Sequence, residues 1–313
     1  MRLDLWLWLA GGVLALLGGL LRLLPRTAGN PHRVRLLRLW APLVFTCLGL
    51  AFLVAGLAWR IWPSGAWPGS TSADGVAMLA AGTLAILSWI LLTETRRVKG
   101  AESRDAKSRD VGRVGGVDGV DGGEVGLDRG HAVAEALALF GACLLILLAI
   151  GAAWNRPLPE PSPQARSWLI GLRVIAASLG LGAWLPAFTA ESRALGEHAT
   201  RGLRPGQEQP APGTMGFDPG LEAMRAGYPW LTAAWLLGAA WSMAAAAALW
   251  RGLPPENWLM VAWLLGGIYL LATYGAQPAR PARLPQWALV LLTACGTAAA
   301  LLQAWQTPLL LLS

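Results

Sequence analysis

Long apolar runs recur from one end of the chain to the other, and this repetition restricts it to membrane-spanning helices. Each run is about 20 residues long, so a helix could cross about 30 Å of hydrocarbon. Barrel strands would instead alternate polar and apolar residues over about 10 positions. The sequence is 55% hydrophobic and only 14% charged, which is far below the charged share of a soluble globule. The pattern predicts an all-α polytopic membrane protein with about eight spans, at residues 5–24, 39–60, 76–93, 132–154, 168–189, 229–250, 256–274 and 286–311.

The polar segments between these runs predict how the chain is organised. Two of them, at about 95–130 and 191–227, are long, polar and rich in Gly, Pro or charge. Such compositions are typical of disordered linkers. The simplest organisation is a single transmembrane domain over residues 1–313. The first run is interpreted as a span and not as a signal peptide, because no small-residue cleavage site follows it.

Basic residues are distributed unevenly among the loops, and this distribution predicts the orientation in the membrane. The net charge of +7 could suggest a nucleic-acid partner, but most of the 25 lysines and arginines lie in the loops after odd-numbered spans. The even-numbered loops hold only Arg60, Arg156, Arg166 and Arg251. Because basic loops stay in the cytoplasm, we expect a protein of the plasma (inner) membrane with basic loops inside, both termini outside and no nucleic-acid partner.

The three cysteines indicate packing rather than chemistry. Cys47, Cys143 and Cys295 all fall inside predicted spans, and none has the spacing of a metal-ligand pair. A buried free cysteine behaves as a small apolar residue. No metal site and no disulfide framework are expected from them.

The chain contains 18 tryptophans, and twelve of them fall into two groups. Indole rings favour the membrane–water boundary, and such a belt accounts for Trp6, Trp8, Trp40, Trp59, Trp62, Trp89, Trp287 and Trp305. The second group surrounds a Pro-Pro-Glu turn between the sixth and seventh spans and consists of Trp241, Trp250, Trp258 and Trp263. Two interpretations stay open for this group: packing between helices, or a platform for a flat aromatic ligand.

Two charged residues near the outer ends of spans also allow two roles each. Glu256 follows the Pro-Pro pair, where a carboxylate favours the start of a helix; it could also bind a cation of a partner. Arg173 lies about five residues into the fifth span, roughly 8 Å along its axis. Its side chain could extend back to the interface, or it could reach an anionic group on the outer face.

The stretch 238–270 resembles the tryptophan-rich region of the CcsA-type cytochrome c assembly family, the integral haem-handling half of a cytochrome c synthetase. The resemblance is ungapped, and the matched positions are Gly238, Trp241, Trp250, Pro254, Glu256, Trp258, Trp263, Tyr269 and Leu270. An eight-span arrangement with the tryptophan loop outside is also similar to that of the family.

The chain departs from the family pattern at the residues that would hold haem iron. Two family tryptophans correspond to Ala246 and Gly252, and the family aspartate and lysine correspond to Leu253 and Pro255. The family histidine that closes the following helix corresponds to Leu271. The only histidines of the chain, His32, His131 and His198, are expected on the cytoplasmic side.

The resemblance implies an integral membrane protein of cytochrome c biogenesis, acting as a divergent or accessory haem-handling subunit. It implies haem as a cofactor, and as partners a maturation protein with a large outer domain and apocytochrome c. The candidate haem-facing residues are Trp241, Trp250, Glu256, Trp258, Trp263 and Arg173. The alternative is a structural subunit, or a carrier of another hydrophobic ligand, that kept the fold and lost haem handling. No catalytic residue is predicted, because no nucleophile and base fall on one side of the chain.

Overall fold

A computed structural model of the protein describes residues 2–23, 31–64, 71–111, 124–154, 167–201, 218–274 and 284–308. Within these ranges the chain is helical apart from short connections, as the apolar runs predict. The nine helices of the described chain are α1 Leu3–Leu23, α2 Pro31–Ser64, α3 Ser72–Val111, α4 Glu124–Ala153, α5 Trp168–Leu181, α6 Trp184–Arg201, α7 Pro219–Ala246, α8 Pro254–Tyr274 and α9 Gln286–Gln306.

Seven segments of the described chain are long and apolar enough to cross a membrane. They correspond to seven of the expected spans, with α5 and α6 together forming one of them, Trp168–Glu197. The expected span 229–250 falls on α7, which is rich in Ala, Gly and Trp and is not among the seven. Helix α7 nevertheless runs antiparallel to α8 along its length, since Gly220 lies against the Tyr269 hydroxyl and Gly238 lies near the Glu256 end.

The first and last described helices meet the same end of the bundle. Arg60, near the end of α2, contacts Asp4 at the start of α1 and Asp74 at the start of α3, each at 2.9 Å. Beside Asp74, a Cβ built on Gly75 would lie 2.0 Å from the carbonyl oxygen of Ala304, near the end of α9. The start of α1 and the end of α9 therefore lie at the same end of the bundle.

Helix α3 is the most buried span and lies at the centre of the bundle. At Gly82 its backbone touches α5, because a Cβ built there would lie 1.8 Å from the carbonyl oxygen of Ser178. Close backbone approach at small residues is the usual packing of membrane helices. The core around this contact is formed by Leu84, Leu87, Ile90, Leu139, Ile146, Ile170 and Leu181.

The expected straight span 168–189 is broken into α5 and α6. Helix α5 ends at Leu181, and the amide of Gly182 donates to the carbonyl of Ser178. Pro186 lies in the first turn of α6, and since it has no N–H it cannot bond the Gly182 carbonyl. Proline is tolerated at such a helix start, so the break occurs where the sequence offers Gly followed by Pro.

Both expected linkers are shorter than the sequence suggested. Helix α3 continues to Val111 and α4 begins at Glu124, so much of the segment 95–130 is helical, and residues 112–123 lie outside the described part. In the segment 191–227, α6 continues to Arg201 and α7 begins at Pro219. The carboxylate of Asp218 accepts hydrogen bonds from the first amides of α7, which is a stabilising N-cap.

Seven of the eight tryptophans expected in an aromatic belt are exposed, and Trp8 is not. The other seven members are exposed side chains on the outside of the bundle. Trp8 is fully buried because its indole packs on Gly56 of α2, where a Cβ would come within 2.5 Å of the ring. Trp184 is buried in the same way against Gly296 of α9. Each of these indoles fills the space that a glycine leaves on the neighbouring helix.

Gly82→Ala should destabilise the protein by about 2 kcal/mol, because the added methyl meets a backbone carbonyl that cannot rotate away. The matched control is Gly151→Ala on α4, where a Cβ meets nothing within 4 Å and alanine favours the helix by up to about 1 kcal/mol. Both variants are heated in detergent, and the fraction that stays folded at each temperature is measured by size-exclusion chromatography. Equal unfolding midpoints for the two variants would contradict the α3–α5 contact.

Candidate functional site

The connection between α7 and α8 is a tight, non-helical segment of residues 247–253. Helix α7 ends at Ala246, and the next residue, Ala247, adopts a left-handed conformation with φ 52° while its amide donates to the carbonyl of Met243. Gly252 is also left-handed, with φ 69°, which is a conformation that glycine adopts without strain. The expected helix to residue 250 is therefore wrong, and Trp250 lies in the connection and not on the face of α7.

Helix α8 begins at Pro254, in agreement with the predicted role of the Pro-Pro pair. Two amides of its first turn, those of Glu256 and Asn257, donate to the carbonyl of Leu253. The Asn257 side-chain amide donates to the carbonyl of Gly252 at 3.1 Å. These bonds hold the connection against the start of α8, so the Glu256 side chain turns inward and is buried.

Glu256 and Arg173 form an ion pair inside the bundle. Arg173 Nη1 lies 3.6 Å from Glu256 Oε1, and each side chain is only 3% exposed. Gly238 of α7 makes room for the guanidinium, since a Cβ there would lie 2.9 Å from Arg173 Cζ. The Arg173 side chain is therefore held between α5, α7 and α8, and its extension to the interface stays a prediction.

A second arginine joins this pair from the connection. The backbone amide of Arg251 donates to Glu256 Oε2 at 3.2 Å, and its guanidinium carbon lies 4.1 Å from the centroid of the Trp241 ring. This cation–π contact involves a largely buried indole, where such contacts are strongest. Glu256 thus connects the two arginines, one oxygen facing the Arg173 guanidinium and the other the Arg251 amide.

We call Arg173, Trp241, Ser242, Arg251 and Glu256 the arginine cluster. It holds two positive charges and one negative charge. Several of its buried polar atoms have no hydrogen-bond partner in the described part of the protein: Arg173 Nε and Nη1, Arg251 Nε and Nη2, and Ser242 Oγ. Ser242 follows Gly238 by one helical turn, so both residues lie on the same face of α7.

Trp263 belongs to a separate aromatic group between α7 and α8. Its ring stacks with Tyr228 at 6.1 Å and with Trp235 at 6.0 Å between centroids. Its indole N–H donates to Thr232 Oγ1 at 3.0 Å. Trp258 is half-buried and packs against the core, and Trp250 is half-buried in the connection.

The structure therefore brings together only part of the predicted site. Arg173, Trp241 and Glu256 meet in the arginine cluster, whereas Trp263 lies two turns away along α8 in the aromatic group. Sequence reasoning missed Arg251 and Ser242. Arg251 carried a usable signal, because it is the one basic residue of its loop and stands five positions before Glu256. Ser242 carried none.

The cluster suits an anionic group better than it suits a metal. Haem iron needs an imidazole, thiolate, thioether or phenolate as axial ligand, and the cluster has none of these side chains. The histidines of the chain belong to the first part of α2, the first part of α4 and the last part of α6, at the other end of the bundle. Among the described residues no group of three His, Cys, Asp or Glu side chains could hold a metal ion.

Comparison of the chain with models of known protein families, with curated proteins and with solved structures gives no match.

Glu256→Gln should destabilise the protein by about 3 kcal/mol, because it leaves the buried Arg173 without its counter-charge. The double variant Arg173→Met with Glu256→Gln should recover much of this loss, since it removes the unpaired charge as well. Unfolding midpoints of both variants test this. The control is Glu222→Gln, which breaks the exposed Arg225 pair and should cost less than about 1 kcal/mol.

A cost of Glu256→Gln no larger than that of Glu222→Gln would contradict the buried pair.

Proposed function

We propose that the protein is an integral membrane protein of cytochrome c biogenesis and that it acts as a divergent, accessory haem-handling subunit. The proposal rests on one observation: positions that match the family pattern are also residues of the arginine cluster. Three of the matched positions, Gly238, Trp241 and Glu256, are residues that contact the two arginines. The resemblance thus falls on residues that build one site, and not only on residues that make helices apolar.

The proposed role is accessory because the arginine cluster offers no ligand for iron. Its arginines could hold the acidic side groups of a haem, and Trp241 with Trp250 and Trp258 could border its flat ring. Ligation of the iron would have to come from another protein. The proposed partners are a maturation membrane protein with a large outer domain and apocytochrome c, docking on the connection, where Leu249 and Gly252 are exposed.

A second function is favoured by the aromatic group of α7 and α8. Trp263 is engaged on the α7 side by Tyr228, Trp235 and Thr232, and Trp258 packs against the core. These contacts stabilise the pair of helices. This arrangement supports the alternative of a structural membrane subunit, or of a carrier for another hydrophobic ligand.

The proposal also includes an orientation in the plasma (inner) membrane. The basic residues favour an outward connection between α7 and α8, with both chain ends on the same outer side. The contacts of Arg60 and Gly75 agree with this, because they bring the first and last described helices to one end of the bundle.

Alkaline phosphatase fused after Leu253 should be active, because the enzyme folds only outside the cytoplasm and this connection is expected there. A fusion after Gly115, in the basic loop between α3 and α4, should be inactive and serves as the control. The ratio of phosphatase activity to fusion protein on immunoblots is the measurement. The reverse pattern would overturn the orientation and the proposed site for an outer partner.

Deletion of the gene should lower membrane c-type cytochromes, and wild-type protein should restore them. Trp250→Ala should restore on the order of tenfold less, since an aromatic anchor at a binding surface contributes about 2 kcal/mol. Trp305→Ala is the control, because this exposed indole lies at the same end of the bundle on α9. Haem staining of membranes and a pyridine haemochrome spectrum of the purified protein are the two readouts.

Normal c-type cytochromes in the deletion strain, together with purified protein that carries no haem, would exclude the haem-handling role and leave the structural alternative.

A further inference from the structure

The arginine cluster contains more positive charge than the protein neutralises. One carboxylate, that of Glu256, lies beside both arginines: Arg173 forms an ion pair with it, and Arg251 donates to it through its backbone amide. Exposed arginines tolerate such an imbalance because water screens them. Arg173 is only 3% exposed, and an uncompensated buried charge is costly. A ligand with one negative charge would make the cluster neutral.

The unpartnered donors of the cluster also match a particular kind of ligand. Arg173 offers Nε and Nη1, Arg251 offers Nε and Nη2, and Ser242 offers its hydroxyl. A guanidinium binds tetrahedral or planar oxyanions through two parallel N–H groups. Glu256 cannot satisfy these donors, because its nearest oxygen is 3.6 Å from Arg173 Nη1, which is beyond hydrogen-bond distance.

We propose that the arginine cluster binds the phosphate group of a singly charged anion, with Arg173 and Arg251 as its cationic ligands and Ser242 as a hydrogen-bond donor. Two sources share this chemistry: the phosphodiester of an anionic phospholipid, and free dihydrogen phosphate from solution. The proposal does not depend on the haem-handling role, since it concerns a phosphate ligand and can fail or hold on protein that never meets haem.

The position of the cluster along the bundle fits a phosphate at the membrane surface. Arg251 lies in the connection beyond the end of α7, and Arg173 is in the second turn of α5. At this end of the bundle, Trp154 and Trp168 are exposed by 62% and 61%, as interfacial indoles are. Lipid phosphates lie just outside such a layer.

The connection provides the route into the cluster. Arg251 is half-buried, and its neighbours Leu249 and Gly252 are exposed. Its guanidinium rests on the Trp241 ring.

The test measures binding of both sources to the full-length protein. In the lipid arm, the protein is placed in phosphatidylcholine nanodiscs that contain phosphatidylglycerol. It is then released from the nanodiscs, and native mass spectrometry measures how much phosphatidylglycerol stays bound. In the soluble arm, inorganic phosphate is titrated into detergent-purified protein, and the rise in unfolding temperature gives the affinity. Retention in the lipid arm alone identifies a lipid ligand, and a saturable rise in the soluble arm alone identifies free phosphate.

Arg251→Gln should weaken the binding about tenfold or more, because it removes two charge-assisted hydrogen bonds from a partly accessible residue. Ser242→Ala should weaken it several-fold while leaving the charge unchanged. The matched control is Arg225→Gln, which removes one arginine from the other end of α7, where the side chain is 41% exposed. This control should bind as wild type does.

The proposal is overturned if neither source binds, or if Arg251→Gln binds as tightly as wild type. It is also overturned if Arg225→Gln loses as much affinity as Arg251→Gln, since binding would then follow net charge and not the cluster.

Discussion

Buried arginines join the helices of this bundle near their ends. Arg60 ties the end of α2 to the starts of α1 and α3, and Arg22 ties the end of α1 to Glu94 of α3 and Glu135 of α4. Arg173 ties α5 to α8 across Gly238 of α7. In a medium without water, each charge must find its partner on a neighbouring helix, so these pairs fix the order and height of the helices.

The three arginines differ in the charged groups that surround them. Arg22 and Arg60 each contact two carboxylates, so neither site carries an excess of positive charge. Arg173 contacts one carboxylate and lies near a second arginine. The first two arrangements are sufficient as structural ties. In the third arrangement, N–H donors of the arginines have no hydrogen-bond partner among the described residues. This difference separates the arginine cluster from the other buried charges.

The helical class, the candidate spans and the start of α8 were predictable from the sequence because they follow from local rules. Apolar runs of about 20 residues specify spans, and a Pro-Pro pair suits the first turn of a helix. The break at Gly182 could have been predicted from the same rule, since Pro186 follows it. It was not predicted, because the apolar run continues through the break. The end of α7 at Ala246 could not be predicted, because Ala and Leu continue beyond it without a helix-breaking residue.

Contacts between helices could not be predicted from the sequence, for a different reason. Trp8 is buried because Gly56 faces it, and Trp184 because Gly296 faces it. A single sequence shows many tryptophans and 38 glycines, and it does not show which of them meet. The pairing of Arg173 with Glu256 has the same character: both residues were candidates, but their contact depends on where α5 packs against the hairpin of α7 and α8.

The charges of the α7–α8 hairpin follow a consistent physical direction. Leu253 and Pro255 stand at its tip, so charge is absent there and present on either side. Glu256 turns inward and meets Arg173 of α5, and the Arg251 guanidinium lies on the Trp241 ring of α7. The hairpin thus carries its charge inside the bundle and not at its tip. Such a tip offers little to a partner that is held by exposed charge, whereas the buried arginines favour an anion that is drawn inward.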